Sequence, residues 1–199
     1  MFTGIITALG TVSAIDPIGG GKDMRLTVAT PWPDTASIAL GASIACSGCC
    51  LTAVELHADR FAVDASAETL ACTTLGTWTV GSRINLERSL KIGDELGGHI
   101  VSGHVDGVGE AVSATPENGS TRWRFRVPKA LSRFIAEKGS VAVNGVSLTV
   151  NEVEGDMFGV NVIPHTASVT GFGTMKPGDK VNIEIDMLAR YVARLAETK

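Results

Sequence analysis

Aromatic side chains make up only 5% of the 199 residues, and no stretch gathers basic residues. Nucleic-acid binding by base stacking or by phosphate neutralisation needs one or the other. A net charge of −4 argues the same way. Cysteine is scarce too, with Cys46, Cys49, Cys50 and Cys72 all in the first half. A set confined to one half makes a poor disulfide framework, so a reducing, cytoplasmic setting is expected. Cys46 and Cys49 form a C-x-x-C, the spacing of zinc and redox sites. No second such pair exists, so buried thiols are the better reading and no metal is expected. Met1-Phe2-Thr3-Gly4 lacks the basic and apolar regions of a secretory signal. Charge is missing from Thr35 to Val54, a run long enough to consider as a membrane span. Its glycines and hydroxyl residues speak against one, as do Glu137 and Lys138 in the matching stretch described next. The remaining balance, 44% hydrophobic and 19% charged, is that of a folded soluble protein.

What is abundant is self-similarity. Ser43-Ile-Ala-Cys-Ser-Gly48-Cys-Cys50-Leu51-Thr52 returns 97 residues later as Ser140-Val-Ala-Val-Asn-Gly145-Val-Ser147-Leu148-Thr149. From Ser43–Glu87 against Ser140–Glu184 no gap is needed, and 16 of 45 positions are identical. They include Gly48, Leu51, Thr52, Asn85 and Glu87 with their twins. At an offset of 99, Phe2-Thr3-Gly4 answers Val101-Ser102-Gly103, and Gly10 answers Gly109. The chain is therefore a duplicated domain. We divide it at 1–97 and 98–186, with 187–199 set apart.

Each copy reads as about six short strands. In the first copy, 5–16 and 24–30 alternate and are rich in β-branched residues. A central strand pair follows at Ser43–Leu56, then Phe61–Asp64 and Arg83–Glu87. The second copy repeats the series at Ser140–Val153, Phe158–Val162 and Lys180–Ile185. His57–Asp59 and Glu154–Asp156 suit hairpin tips. Ala130–Glu137 reads as a short helix, and 34–39 as one helical turn. Many short strands with Gly/Pro punctuation predict an all-β chain of two tandem six-stranded antiparallel barrels with Greek-key connections. Arg88–Gly98 is the linker. Leu188, Tyr191, Val192 and Leu195 share one face of a C-terminal helix, which either caps a domain or packs against other subunits; we favour the second.

Chemistry-bearing residues cluster in three places. Side chains alternate along a strand, so Cys50 and Thr52 face outward if Leu51 faces the core, and Ser147 and Thr149 do so around Leu148. Gly48 and Gly145 permit close backbone approach; they also suit plain hairpin turns. Asp64-Ala-Ser-Ala-Glu-Thr69 and Asn161-Val-Ile-Pro-His-Thr166 offer an acid or amide, backbone N–H groups and a hydroxyl to a polyhydroxy or imide ligand. They also suit helix caps at Thr69 or Thr166. Gly97-Gly-His99-Ile-Val-Ser102-Gly103-His104-Val-Asp106 is the richest acid–base stretch. His104 stands where the first copy has Ile5, so the duplication did not demand it.

These motifs together resemble the riboflavin synthases of the alpha-chain type. They are Met-Phe-Thr-Gly-Ile-Ile, Gly-Cys-Cys-Leu-Thr, Gly-Gly-His-Ile-Val-Ser-Gly-His, Asn-Gly-Val-Ser-Leu-Thr-Val and Val-Asn-Ile-Glu-Ile-Asp. The resemblance covers residues 1–190. It implies two six-stranded barrels and a helix that joins three chains into a homotrimer, with sites between subunits. It implies the dismutation of two 6,7-dimethyl-8-ribityllumazine molecules by transfer of a four-carbon unit, without cofactor or metal. One ring would contact Gly4, Ile5, Ile6, Cys50, Leu51, Thr52, Asp64, Ala65, Ser66, Ala67, Glu68 and Thr69. The other would contact Ser147, Leu148, Thr149, Val162, Ile163, Pro164, His165, Thr166 and Ala167. His104, Val105, Asp106 and Lys138 would reach across from a neighbouring chain. His104 is expected to move the proton, with Cys50, Ser43 and Ser147 orienting the rings or adding to them. Asn144 and His165 depart from the aspartate and glutamate of some members, which puts an essential carboxylate there in doubt. The rival readings are a non-catalytic lumazine- or flavin-binding antenna relative and a plain two-barrel interaction module.

Overall fold

The computed structural model describes residues 1–197 and contains two closed antiparallel barrels followed by a helix. The first barrel holds β1 (Ala8–Ile18), β2 (Asp23–Ala29), β3 (Ser43–Cys46), β4 (Cys49–Leu56), β5 (Arg60–Ala65) and β6 (Arg83–Arg88). The second holds β7 (Gly107–Glu117), β8 (Ser120–Arg126), β9 (Ser140–Val143), β10 (Val146–Glu154), β11 (Met157–Val162) and β12 (Lys180–Ile185). Around the first barrel the order is β1-β2-β5-β4-β3-β6, and the second repeats it as β7-β8-β11-β10-β9-β12. Closure leaves no sheet edge in either half. Short helices α1 (Ala67–Cys72), α2 (Lys129–Ser132) and α3 (Pro164–Val169) decorate the barrels, and α4 (Met187–Ala196) ends the chain.

The barrels form because alternate residues are apolar. Along β4, Cys49, Leu51 and Ala53 are buried, while Thr52 is exposed and Cys50 half-buried. Trp32 stacks on Phe61 in the first core. The second core is more aromatic, with Phe125 against Phe158 and Phe172. Each such side chain contributes roughly 1.5–3 kcal/mol by leaving water. Cys46 and Cys49 lie in the first core, and burial pushes Cys49 up to about 12 and Cys46 well above its ordinary value. They are inert packing thiols. The uncharged run from Thr35 to Val54 folds largely into β3 and β4. Among the described residues no helix is long and apolar enough to cross a membrane.

Two sequence expectations shift. The helix expected over Ala130–Glu137 stops at Ser132 and continues as tight turns, with Phe134 N–H on Leu131 O and Ile135 N–H on Ser132 O. Burial of Ile135 fixes that geometry against helix propensity. The caps of the 64–69 loop also differ. Ser66, not Thr69, caps α1 by accepting the Thr69 N–H at 3.2 Å, and α3 starts on Pro164 without a side-chain cap.

The halves meet along a reciprocal seam. Ser47-Gly48 and Asn144-Gly145 each turn with two positive φ angles, 45° and 86°, then 47° and 79°. These are tight hairpin turns that need glycine at the second place. The turns also touch: a Cβ on Gly48 would lie 2.8 Å from Gly145 N, and one on Gly145 2.8 Å from Gly48 N. Asn85 Nδ2 donates to Asn144 O and Asn182 Nδ2 to Ser47 O, each at 2.9 Å. Their Oδ1 atoms accept from Gly171 and Thr74 N–H, each at 2.7 Å. Such mutual contacts are those of a two-fold dimer written in one chain.

Candidate active site

The segments that lead into the barrels are exchanged. Gly4 precedes the first barrel, yet its carbonyl accepts the Ser147 N–H of the second at 2.9 Å. Gly103 precedes the second barrel, and its carbonyl accepts the Cys50 N–H of the first at 2.8 Å. Ile6 packs against the second core and Val105 against the first. Both glycines sit at positive φ and so close to the partner strand that a Cβ would lie 2.5 Å from Ser147 Cβ or 2.6 Å from Cys50 Cβ. Phe2 and Val101 bridge the two segments, and both are fully buried.

Buried carboxylates hold the exchanged segments. Glu87 Oε1 accepts the Thr3 N–H and hydroxyl, each at 2.7 Å, and its Oε2 accepts the Gly4 N–H at 3.0 Å. Glu184 does the same for Ser102 and Gly103, at 2.7 and 2.9 Å. Burial raises both carboxyls against the pull of these donors, and Glu184, which also feels Asp106, reaches about 7.

Two clusters result. In the first, Cys50, Glu68, Thr69, Cys72, His104 and Val105 line one cavity of about 370 Å³. His104 is exposed at its rim, and the Cys72 thiol donates to Glu68 Oε1 at 3.2 Å. Here a thiol, a hydroxyl, a carboxylate and an imidazole face one space, which can hold a polar heterocycle and move a proton on it. In the second, Ser147 Oγ lies 2.7 Å from His99 Nδ1. Burial lowers the His99 pKa, so the ring is neutral near pH 7 and can polarise the hydroxyl. By the duplication, Val162–Ala167 take the place that Ala65–Leu70 hold beside Cys50. Ile163 and His165 are exposed there.

The structure therefore regroups the expected residues. Gly4, Ile5 and Ile6 belong with Ser147, not with Cys50, because the lead-in segments cross over. His104 and Val105 meet Cys50 within one chain, so they need not come from a neighbour for that contact. Asp106 is turned from the cavity, its Oδ2 accepting the Ile185 N–H at 2.9 Å. Ser43 pairs with Thr52 across the sheet and lines a separate cavity with Ile38 and Ser89, so we give it no part in orienting the rings or adding to them. Asp64 is engaged by Arg25 through two hydrogen bonds, 2.7 and 3.0 Å, which hold its pKa below the ordinary range. Lys138 sits in the turn before β9, its N–H on Val150 O. Asn144 Oδ1 accepts the Asn182 N–H at 2.8 Å, so the side chain at this departure ties the β9–β10 turn to β12 within the second barrel. Sequence reasoning placed His99 in the acid–base stretch without giving it a role, and missed Cys72, Glu87 and Glu184 as site residues. The glutamates were visible as identical twins; Cys72, whose twin is Val169, carried no signal.

Comparison with known proteins decides the family. The Lumazine binding domain matches twice, over residues 3–89 and 102–186. The riboflavin synthase of Brucella abortus (strain 2308) is 52% identical over 202 residues, covering 99% of this chain and 98% of that one. The chain belongs to the riboflavin synthase family. The riboflavin synthase of Photobacterium phosphoreum is 45% identical, over 98% of this chain and 88% of its own. Among solved structures, LumP complexed with riboflavin superposes with a TM-score of 0.85 at 27% identity, covering 93% of this chain and 99% of that one. LumP complexed with 6,7-dimethyl-8-(1'-D-ribityl) lumazine gives a TM-score of 0.82 at 26% identity, with the same coverage.

Proposed function

We infer that the chain catalyses the riboflavin synthase reaction. Two 6,7-dimethyl-8-ribityllumazine molecules exchange a four-carbon unit, one leaving as riboflavin and the other as 5-amino-6-ribitylaminouracil. The observation that carries this is the near full-length likeness to riboflavin synthases in a chain that keeps both clusters, Cys50 with His104 and Ser147 with His99.

The 7-methyl group of the lumazine is a carbon acid, and His104 takes or returns its proton. Cys50 and Ser147 orient the rings or add to them. Residues 1–97 and 98–186 are the two lumazine-binding units. Phe2, Ala45, Val101 and Ala142 pack as a buried cluster alongside Cys50. Ala45 pairs with Cys50 and Ala142 with Ser147, which puts this wall between the two clusters of one chain. Rings must then meet across copies, first barrel against second. Leu188, Tyr191 and Val192 of α4 are 65%, 60% and 67% exposed and supply an apolar face for assembly into a homotrimer. The assembly helix is 187–199, its last two residues lying outside the described ones. The four free thiols support a cytoplasmic setting.

The fold likeness to LumP supports a second reading, a binder without turnover. One assay separates them. Purified protein given the ribityllumazine alone, with no added cofactor, forms yellow flavin on our reading. Binding without flavin formation would favour the antenna.

A further inference from the structure

Around Cys50 and Ser147 the two halves are built alike, but one lead-in segment carries a device that the other lacks. Asp106 lies two residues after His104 and one after Val105. Its side chain is only 9% exposed. Its N–H donates to Ile183 O at 2.8 Å, and its Oδ2 accepts the Ile185 N–H at 2.9 Å. Its Oδ1 accepts from Arg190 Nη2 of α4. Three bonds thus bolt the end of the 99–106 segment to β12 and to the helix. The twin position is Thr7, which is uncharged, hydrogen-bonding to Leu86 O and accepting from Trp32 Nε1. Where α4 stands in the second half, the first has the linker Arg88–Gly98. Among the described residues this ion pair ties the segment over the Cys50 cavity to α4, and the twin segment has no such pair.

We infer that Arg190 is a positioning residue for the Cys50–His104 cavity, acting through Asp106. A largely buried carboxylate with its cation removed keeps only the Ile185 N–H and must turn or draw in water. Each loosens the hold of β12 and α4 on Asp106, and with it on Val105 and His104, which wall the cavity. Small displacements of that wall weaken both ring binding and reaction geometry, since a misplacement of about 1 Å can cost about 100-fold. The same pair couples the cavity to α4, so whatever fixes the helix also fixes the wall.

The inference rests on the placement of a ring at Cys50, and one experiment separates the two. Iodoacetamide alkylation of Cys50 in the full-length protein is mapped by mass spectrometry while riboflavin is titrated. Wild type gives the riboflavin concentration that half-protects Cys50. Arg190→Met should raise it about tenfold. Asp106→Asn, which leaves α4 untouched, should raise it as much. The double variant should be no worse than either single change, because both break one interaction. Arg190→Lys, which keeps the charge, should recover most of the protection. Unchanged protection in both single variants would overturn the inference alone, as would an effect of Arg190→Met that Asp106→Asn does not share. No protection of the wild type at any concentration would overturn the ring placement, and this inference with it.

Discussion

At the scale of single residues, the duplication supplies its own controls. Cys50 has Ser147 as its twin, so on the function proposed a hydroxyl takes this part once in the fold. Cys50→Ser should keep partial activity; complete loss in a flavin-formation assay would mark the thiol as an indispensable nucleophile. His104 has no such twin. His104→Ala should lower turnover at least about tenfold, the loss of a proton-transfer group; a wild-type rate would remove it from the chemistry. Glu184 yields a pH prediction. Its folded carboxyl titrates near 7 against an ordinary 4.5, so between these values the folded state binds more protons than the unfolded one. Stability from this group is therefore present at low pH and lost as pH rises through that window. Glu184→Gln does not titrate, so the variant should gain on the wild type in denaturant midpoint from pH 5 to 8. A gap that stays flat or opens the other way contradicts the assignment. Much of this was legible in the chain itself. The outward placement of Cys50, Thr52, Ser147 and Thr149 follows from alternation about two buried leucines. The pairing of His99 with Ser147 was not, because the two lie 48 residues apart.

At the scale of elements, strands were legible and contacts between halves were not. Hydrophobic alternation and turn residues are local properties, and they predict six strands per copy. The crossing of Gly4 to Ser147 and of Gly103 to Cys50 depends on how two finished barrels dock, which no local pattern encodes. Hence the grouping of Gly4–Ile6 with Cys50 failed although each residue was named. The seam explains why Gly48, Asn85 and their twins are identical: each serves its own turn or strand and the opposite half at once. Gly48→Ala should cost about 1–2 kcal/mol from the left-handed backbone, and more from contact with the Gly145 backbone. Gly81→Ala, at φ 97° with open space around it, supplies the comparison for strain without a clash. Equal losses in thermal denaturation would remove the seam from the explanation.

At the scale of the whole molecule, the fold sets the Cys50 and Ser147 clusters on opposite sides of a common wall and offers an apolar helix outside. On the function proposed, that arrangement is used when copies meet. Deletion of Met187–Lys199 should give monomers with little activity, by sedimentation and flavin formation together. Full activity as a monomer would contradict sharing of sites between chains. The most direct measurement is a crystal structure of the protein soaked with an unreactive ribityllumazine analogue. We predict ring pairs stacked across a subunit boundary, one ring at Cys50 of one copy and the other at Ser147 of its neighbour, with reacting atoms about 3–3.5 Å apart. Rings found singly, each far from any other, or paired within one chain, would contradict the account.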